Sequence, residues 1–169
     1  FYEAEFDFIL DDLILISKEY SAEENNYNNI LEIISVLTLF KDNDETFKKF
    51  TQAQLKIHQN KRAEAITILD LITKTSEDIL LTNLINYQIA NLLVYQNKPN
   101  EAIAKSQAII GEDIYNELGQ ILIAEIYDYI LKDFSNAKIY YLSILQKFPT
   151  SIHYEQIRLR LNEIMSAPS

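Results

Sequence analysis

One recurring pattern limits what this chain can become. Residues 53–72 read AQLKIHQNKRAEAITILDLI, and residues 90–109 read ANLLVYQNKPNEAIAKSQAI. An Ala, then QNK, then EAI stand in the same register, 90 − 53 = 37 residues apart, and Ala65 and Ala102 keep that spacing. A third copy at residues 124–144 (AEIYDYILKDFSNAKIYYLSI) carries its second Ala at Ala137. That is 137 − 102 = 35 residues on, with one extra residue in the first helix or its turn. A period near 35 predicts a stack of two-helix units. Ala53, Ala90 and Ala124 fall in the first half of each unit, and Ala65, Ala102 and Ala137 in the second. Larger side chains at both points would push the two helices of a unit apart.

Hydrophobic spacing supports helices rather than strands. Ala65, Ile66, Ile68, Leu69 and Ile72 repeat at three and four residues, which lays one apolar stripe along a helix. Sustained two-residue alternation between tight Gly turns is missing. Polar punctuation falls at 21–29, 41–44, 59–61, 75–78, 96–100, 111–113, 132–135 and 148–151. Pro99 stands where a helix can begin and Pro149 where one must end. The reading is an all-α chain of about nine helices, joined by short loops that force sequential helices into antiparallel pairs. It divides into an N-terminal hairpin (1–42), three repeats (43–75, 77–110 and 112–149) and a capping helix with tail (150–169). In the cap, Ile152, Ile157, Leu161 and Ile164 are expected to face the preceding repeat, with His153, Gln156, Arg160 and Asn162 toward water.

Composition removes several chemistries. The chain has no Cys and only His58 and His153, so no thiolate nucleophile and no metal-spaced ligand pair is available. Its two glycines, Gly111 and Gly119, leave no phosphate-cradling loop. A formal charge of −10 opposes nucleic-acid binding, and no apolar run reaches the ~20 residues that a membrane span needs. Glu3, Glu5, Asp7, Asp11 and Asp12 read as a solvated acidic helix face rather than a cation site. The clustered Tyr127, Tyr129, Tyr140 and Tyr141 lack the basic neighbours of a base-stacking surface and read as packing between hairpins, hydroxyls outward. We expect no enzyme, cofactor or metal. The chain begins at Phe1 with no secretory-signal pattern, which reads as a fragment of a longer protein.

The repeat itself resembles the tetratricopeptide family. Asn60, Asn97 and Lys132 fall where that family turns, Leu69, Ser106 and Tyr141 at its second-helix packing position, and Pro149 at its closing proline. The likeness covers residues 43–164 well and 1–40 loosely; Trp is absent, and Asn or Lys replaces the turn Gly. Residues 113–164 are similar to the last repeat of bacterial envelope-associated tetratricopeptide proteins of Bacteroidetes type. Phe148, Pro149, Ser151, Ile152, Arg158 and Arg160 carry that narrower resemblance. What it implies is a right-handed α-solenoid in the periplasm or cell envelope that holds other proteins, although a chain without Cys suits the cytoplasm equally.

The family's concave groove is lined by first helices. That register implies Gln54, His58, Tyr87, Asn91, Tyr95, Glu125 and Tyr129 as partner-binding residues, where amides and Tyr rings can hold an extended peptide. Phe50, Tyr87 and Ile121 occupy the places where some members carry a carboxylate-clamping Lys, which disfavours a carboxylate-tail ligand there. Two functions remain open: a scaffold for a protein or peptide partner, and a homo-oligomerisation module of a larger envelope protein. Phe1, Phe6, Phe8, Ile9 and Leu10 would serve the second as exposed apolar contacts.

Overall fold

The computed structural model describes residues 2–19, 25–41 and 43–166, with the side chains of 2–9, 19, 25–29 and 32 set aside. All regular structure among the described residues is helical. The α-helices are α1 (Tyr2–Glu19), α2 (Asn25–Thr38), α3 (Asp44–His58), α4 (Arg62–Thr75), α5 (Ile79–Tyr95), α6 (Pro99–Gln107), α7 (Ile114–Glu125), α8 (Phe134–Lys147) and α9 (Tyr154–Ser166). A π-helical turn, Ile126–Ile130, extends α7. No described helix is long and apolar enough to cross a membrane.

The chain forms two compact units, residues 1–68 and 69–169, divided inside α4. In the first, α1 packs on α2. Phe40 is fully buried there, its ring centroid 5.6 Å from that of Phe47 and 4.7 Å from that of Phe50. Leu10 is only 6% exposed, so it is a core residue and not the exposed contact expected of it. The side chains of Phe1, Glu3, Glu5, Phe6, Asp7, Phe8 and Ile9 lie outside the described set, as does the tail 167–169, while Asp11 and Asp12 are exposed.

In the second unit each helix from α5 to α9 packs on the next, and α5 also packs on α7. The α5–α6 and α7–α8 pairs are therefore neighbouring hairpins whose first helices lie side by side. All six alanines of the repeat are fully buried. A side chain the size of Leu at such a point would overpack the helix contact and cost about 1–3 kcal/mol. Ala124, Ala137, Tyr141, Ile144, Ile157, Leu161 and Ile164 form one core joining α7, α8 and α9. Three of the expected cap residues thus face the repeat. Ile152 does not: it precedes α9 on the loop and is 93% exposed.

The turns explain the recurring QNK. Asn60 and Asn97 adopt φ of 61° and 57°, the left-handed conformation that Asn tolerates better than most residues. In each, two amides return to the helix end: Asn60 to the Ile57 carbonyl and Lys61 to that of Lys56, and likewise Asn97 to Val94 and Lys98 to Leu93. This is the Schellman pattern, which satisfies carbonyls that a helix end would otherwise leave open. In the third copy Lys132 takes the same conformation at φ 56°. There the distance from the repeat's first Ala is 132 − 124 = 8, against 97 − 90 = 7 in the second copy. The additional residue is absorbed by the π turn, where the Leu131 amide bonds the Ile126 carbonyl at 2.9 Å and Asp133 reaches back to Tyr127.

Successive hairpins are also tied by polar groups at one repeat position. Asn83, with no exposed surface, donates to the Ile110 carbonyl and to Asp113, both at 2.6 Å, and accepts from the Ile110 amide at 3.2 Å. Thirty-four residues on (117 − 83 = 34), Glu117 accepts from Ser151. A first-helix side chain thus fixes the loop leading to the next element in both cases, satisfying groups whose burial would otherwise be costly. Asp113 in turn caps α7 by accepting from the Tyr115 and Asn116 amides.

Candidate functional site

Of the seven residues singled out from the sequence, five lie in the second unit, and four of those fall at matching repeat positions. Asn91 and Glu125 each follow the first-helix Ala by one residue, and Tyr95 and Tyr129 by five. Tyr87, Asn91 and Tyr95 stand four residues apart along α5, which aligns them on one helix face. Their exposure differs in a graded way. Tyr87 and Asn91 are half-buried, while Tyr95 is 75% exposed and Tyr129 51%. The Tyr87 ring lies 6.3 Å from that of Tyr115 on α7, so an aromatic pair spans the two first helices. Asn91 uses its amide locally, donating to the Tyr87 carbonyl at 2.9 Å. Its side-chain oxygen keeps its capacity to accept.

Glu125 is exposed as a residue, yet its carboxyl is pushed above the ordinary range. Crowding by neighbouring atoms is the largest cause, the Asp128 charge adds to it, and His153 opposes it. Tyr129 is flanked by cations. The Arg160 guanidinium carbon is 5.1 Å from its ring centroid and the Lys132 ammonium 5.9 Å.

Gln54 and His58 belong to the first unit and are described there alone. Gln54 is half-buried, and its side-chain nitrogen is shielded from solvent with no hydrogen-bond partner among the described residues. His58 is exposed in the last turn of α3, where a positive charge complements the helix dipole.

The strongest polar cluster is one that sequence reasoning passed over. Asp128, in the π turn, has no exposed surface. Arg160 reaches it from α9 with a two-point contact, both nitrogens at 2.7 Å from its oxygens, and Tyr141 of α8 donates to it at 3.0 Å. Arg160 also pairs with Glu163 at 2.8 Å. The expectation that Arg160 faces water is therefore corrected: its head group turns inward because a buried carboxylate must be paired. His153, too, is half-buried rather than turned to water, whereas Gln156 and Asn162 are exposed. Hydrogen bonding from Arg160 holds the Asp128 carboxyl below its usual range against the opposing effect of burial. Burial, then the Asp128 charge, pushes the Tyr141 hydroxyl far up, so it remains a donor. Tyr141 was expected to direct that hydroxyl outward. Tyr127 and Tyr140 do stack between α8 and the π turn, with centroids 5.7 Å apart. The sequence signal for this cluster was the one-residue excess in the third repeat, with an Asp inside it and an Arg in the cap.

The first-helix face offers aromatic rings, a carboxamide oxygen and one carboxylate, groups that recognise a surface by contact and hydrogen bonding. No protein-family model matches the chain, and no curated protein or solved structure matches it.

Proposed function

We propose that the chain is a non-enzymatic helical-repeat scaffold that holds a protein or peptide partner on the face formed by the first helices of its hairpins. The observation behind this reading is the placement of Tyr95 and Tyr129. They occupy the same repeat position on adjacent hairpins, and each residue is more than half exposed. Tyr supplies contact area at low entropic cost and carries a hydrogen-bonding tip, which suits it to binding surfaces. The repeat register supports the reading through its resemblance to tetratricopeptide proteins. The envelope location belongs to the same proposal, by resemblance only.

The test is photo-crosslinking from position 95, with the captured partner identified and its affinity measured against purified variants. Tyr95→Ala combined with Tyr129→Ala is expected to weaken that partner by about tenfold or more while leaving helicity unchanged. An unchanged affinity overturns the assignment of this face.

A second reading, homo-oligomerisation, has its own observation. Leu15 is 58% and Ile16 40% exposed on α1, and Ile33 is 49% exposed on α2. A dimer stable at low micromolar concentration and dissociated by Leu15→Glu would favour it over the scaffold reading.

A further inference from the structure

A cleft of about 260 Å³ opens among α6, α7 and α8, on side chains other than those of the proposed partner face. Its origin can be read from the repeat. At the second-helix packing position the other two copies carry Leu69 and Tyr141, which are 0% and 2% exposed. The middle copy carries Ser106 there, and the volume that a large side chain would fill stays open beside Ile109, Ile123 and Ile139. Ser106 is 4% exposed, and its hydroxyl has no hydrogen-bond partner among the described residues. A buried hydroxyl without a partner is costly, and a mid-helix Ser ordinarily bonds a carbonyl of its own helix. This one forgoes that bond, in a residue that lines the cleft.

The remaining polar lining is rich in donors. Gln107 donates to the Tyr140 oxygen at 3.1 Å, which leaves the phenol proton available. Asn116 and Gln120 spend side-chain N–H groups on the Ile109 carbonyl and on Asn116 respectively. Ser143 and the Lys147 ammonium complete the wall. In a chain with 25 acidic and 15 basic side chains, the lining contains one lysine and no acid. The volume lies just below the about 300 Å³ where pockets for drug-sized ligands begin, yet exceeds several times the ~30 Å³ share of one water.

We propose that this cleft is a binding site for a small carboxylate with a short aliphatic body. The chain would lie against Ile109, Ile123 and Ile139, with the carboxylate accepting from Ser106 and Tyr140 and facing Lys147. The same chemistry can arrive as a free acid or as an acidic side chain of a peptide. This inference does not depend on the partner-binding proposal.

The experiment is amide chemical-shift mapping on the labelled full chain, titrated with butyrate, with its neutral isostere butanol, and with N-acetyl-glutamate methylamide. Saturable shifts at Ser106, Gln107, Tyr140 and Ser143 with butyrate but not butanol support the site. Tighter binding of the capped glutamate than of butyrate assigns it to an acidic peptide, and the reverse assigns it to a free acid. Ser106→Ala is expected to weaken butyrate about tenfold, because it removes the deepest donor. Lys147→Gln is expected to weaken it about threefold, as an exposed charge contributes little. Ser106→Ala should meanwhile raise Tm by about 2–4 °C, since it deletes a buried hydroxyl that has no partner among the described residues. Equal binding of butanol, undiminished binding to Ser106→Ala, or no saturable shift from any probe overturns the proposal.

Discussion

The α5–α6 and α7–α8 hairpins are built on one pattern and differ by one residue, and that residue changes what holds them. In α5 the helix runs regularly to Tyr95 and closes on Asn97 with two short return bonds. Its buried side chains carry no charge: Ile85, Ile89 and Leu93 lie beside two neutral amides, Asn83 and Asn86. In the α7 hairpin the extra residue widens the last turn into the π segment Ile126–Ile130. That segment buries Asp128, which α8 and α9 must then satisfy through Tyr141 and Arg160. Both hairpins close on a left-handed turn residue, and the second adds a buried charge shared among three helical segments. An inserted residue in a repeat can thus create a polar tie instead of a defect.

Breaking that tie should give the largest effect. Arg160→Ala leaves Asp128 buried without its cation, and we expect a loss of about 2–3 kcal/mol. That lies just below the about 3–5 kcal/mol for removing one partner of a fully buried pair, because the Arg160 side chain is 28% exposed. Asp128→Ala combined with Arg160→Ala should cost clearly less than the sum of the singles in a denaturant-based double-mutant cycle. Strict additivity would mean that the contact adds nothing. The pH dependence has a definite sign. Asp128 has a depressed carboxyl pKa in the folded state, so the pair's contribution is complete above the ordinary Asp range. It is lost as pH falls through the folded value, and Arg160→Ala should flatten the acid limb of the stability profile.

The turn residue sharpens the comparison at a smaller scale. Lys132 and Asn97 hold the same left-handed backbone, but Lys bears the steric cost more fully than Asn. Lys132→Gly is expected to stabilise the chain by about 0.5–1 kcal/mol. The relief of strain exceeds both the entropy added to the unfolded chain and the weak contact with Tyr129. Asn97→Gly should lie within about 0.3 kcal/mol of the parent. Urea midpoints for the two variants check the ranking, and a loss on Lys132→Gly would refute the strain argument.

Much of this was legible in the sequence. The buried alanines followed from register alone, and so did the turns at Asn60, Asn97 and Lys132, because backbone approach and helix closure are local and recur with the period. The cap's Ile157, Leu161 and Ile164 followed from helical spacing. What escaped was everything set by a distant partner. Arg160 reads as a surface residue until Asp128, thirty-two residues earlier (160 − 128 = 32), is seen to need a cation. Asn83 reads as a polar helix residue until the Ile110 loop closes over it. Leu10 and Ile152 reversed their expected exposures because periodicity says which residues share a face, and not what lies opposite it. The candidate partner residues other than Tyr87 share repeat-equivalent positions, which the sequence alone displays. The grading from half-buried Tyr87 to exposed Tyr95 was not legible there, since it depends on how closely α7 approaches α5.

The smallest effect contrasts two carboxyls three residues apart. Asp128 is held ionised by a cation, whereas Glu125 has its carboxyl raised, first by crowding and then by Asp128 itself. A raised folded-state pKa means that the fold prefers Glu125 protonated. Its ionisation therefore costs stability at neutral pH, and that cost disappears as pH falls through the raised value toward the ordinary Glu range. Glu125→Gln imitates the protonated form. The variant should be slightly more stable than the parent at pH 7 and indistinguishable from it once the unfolded carboxyl is also protonated, as read from thermal midpoints across the acid range. Repeating the measurement in the Asp128→Ala background separates the two causes. If the neutral-pH advantage of Glu125→Gln persists there undiminished, crowding alone raises the carboxyl; if it shrinks, the buried charge of the π turn reaches the exposed face where Glu125 would meet a partner.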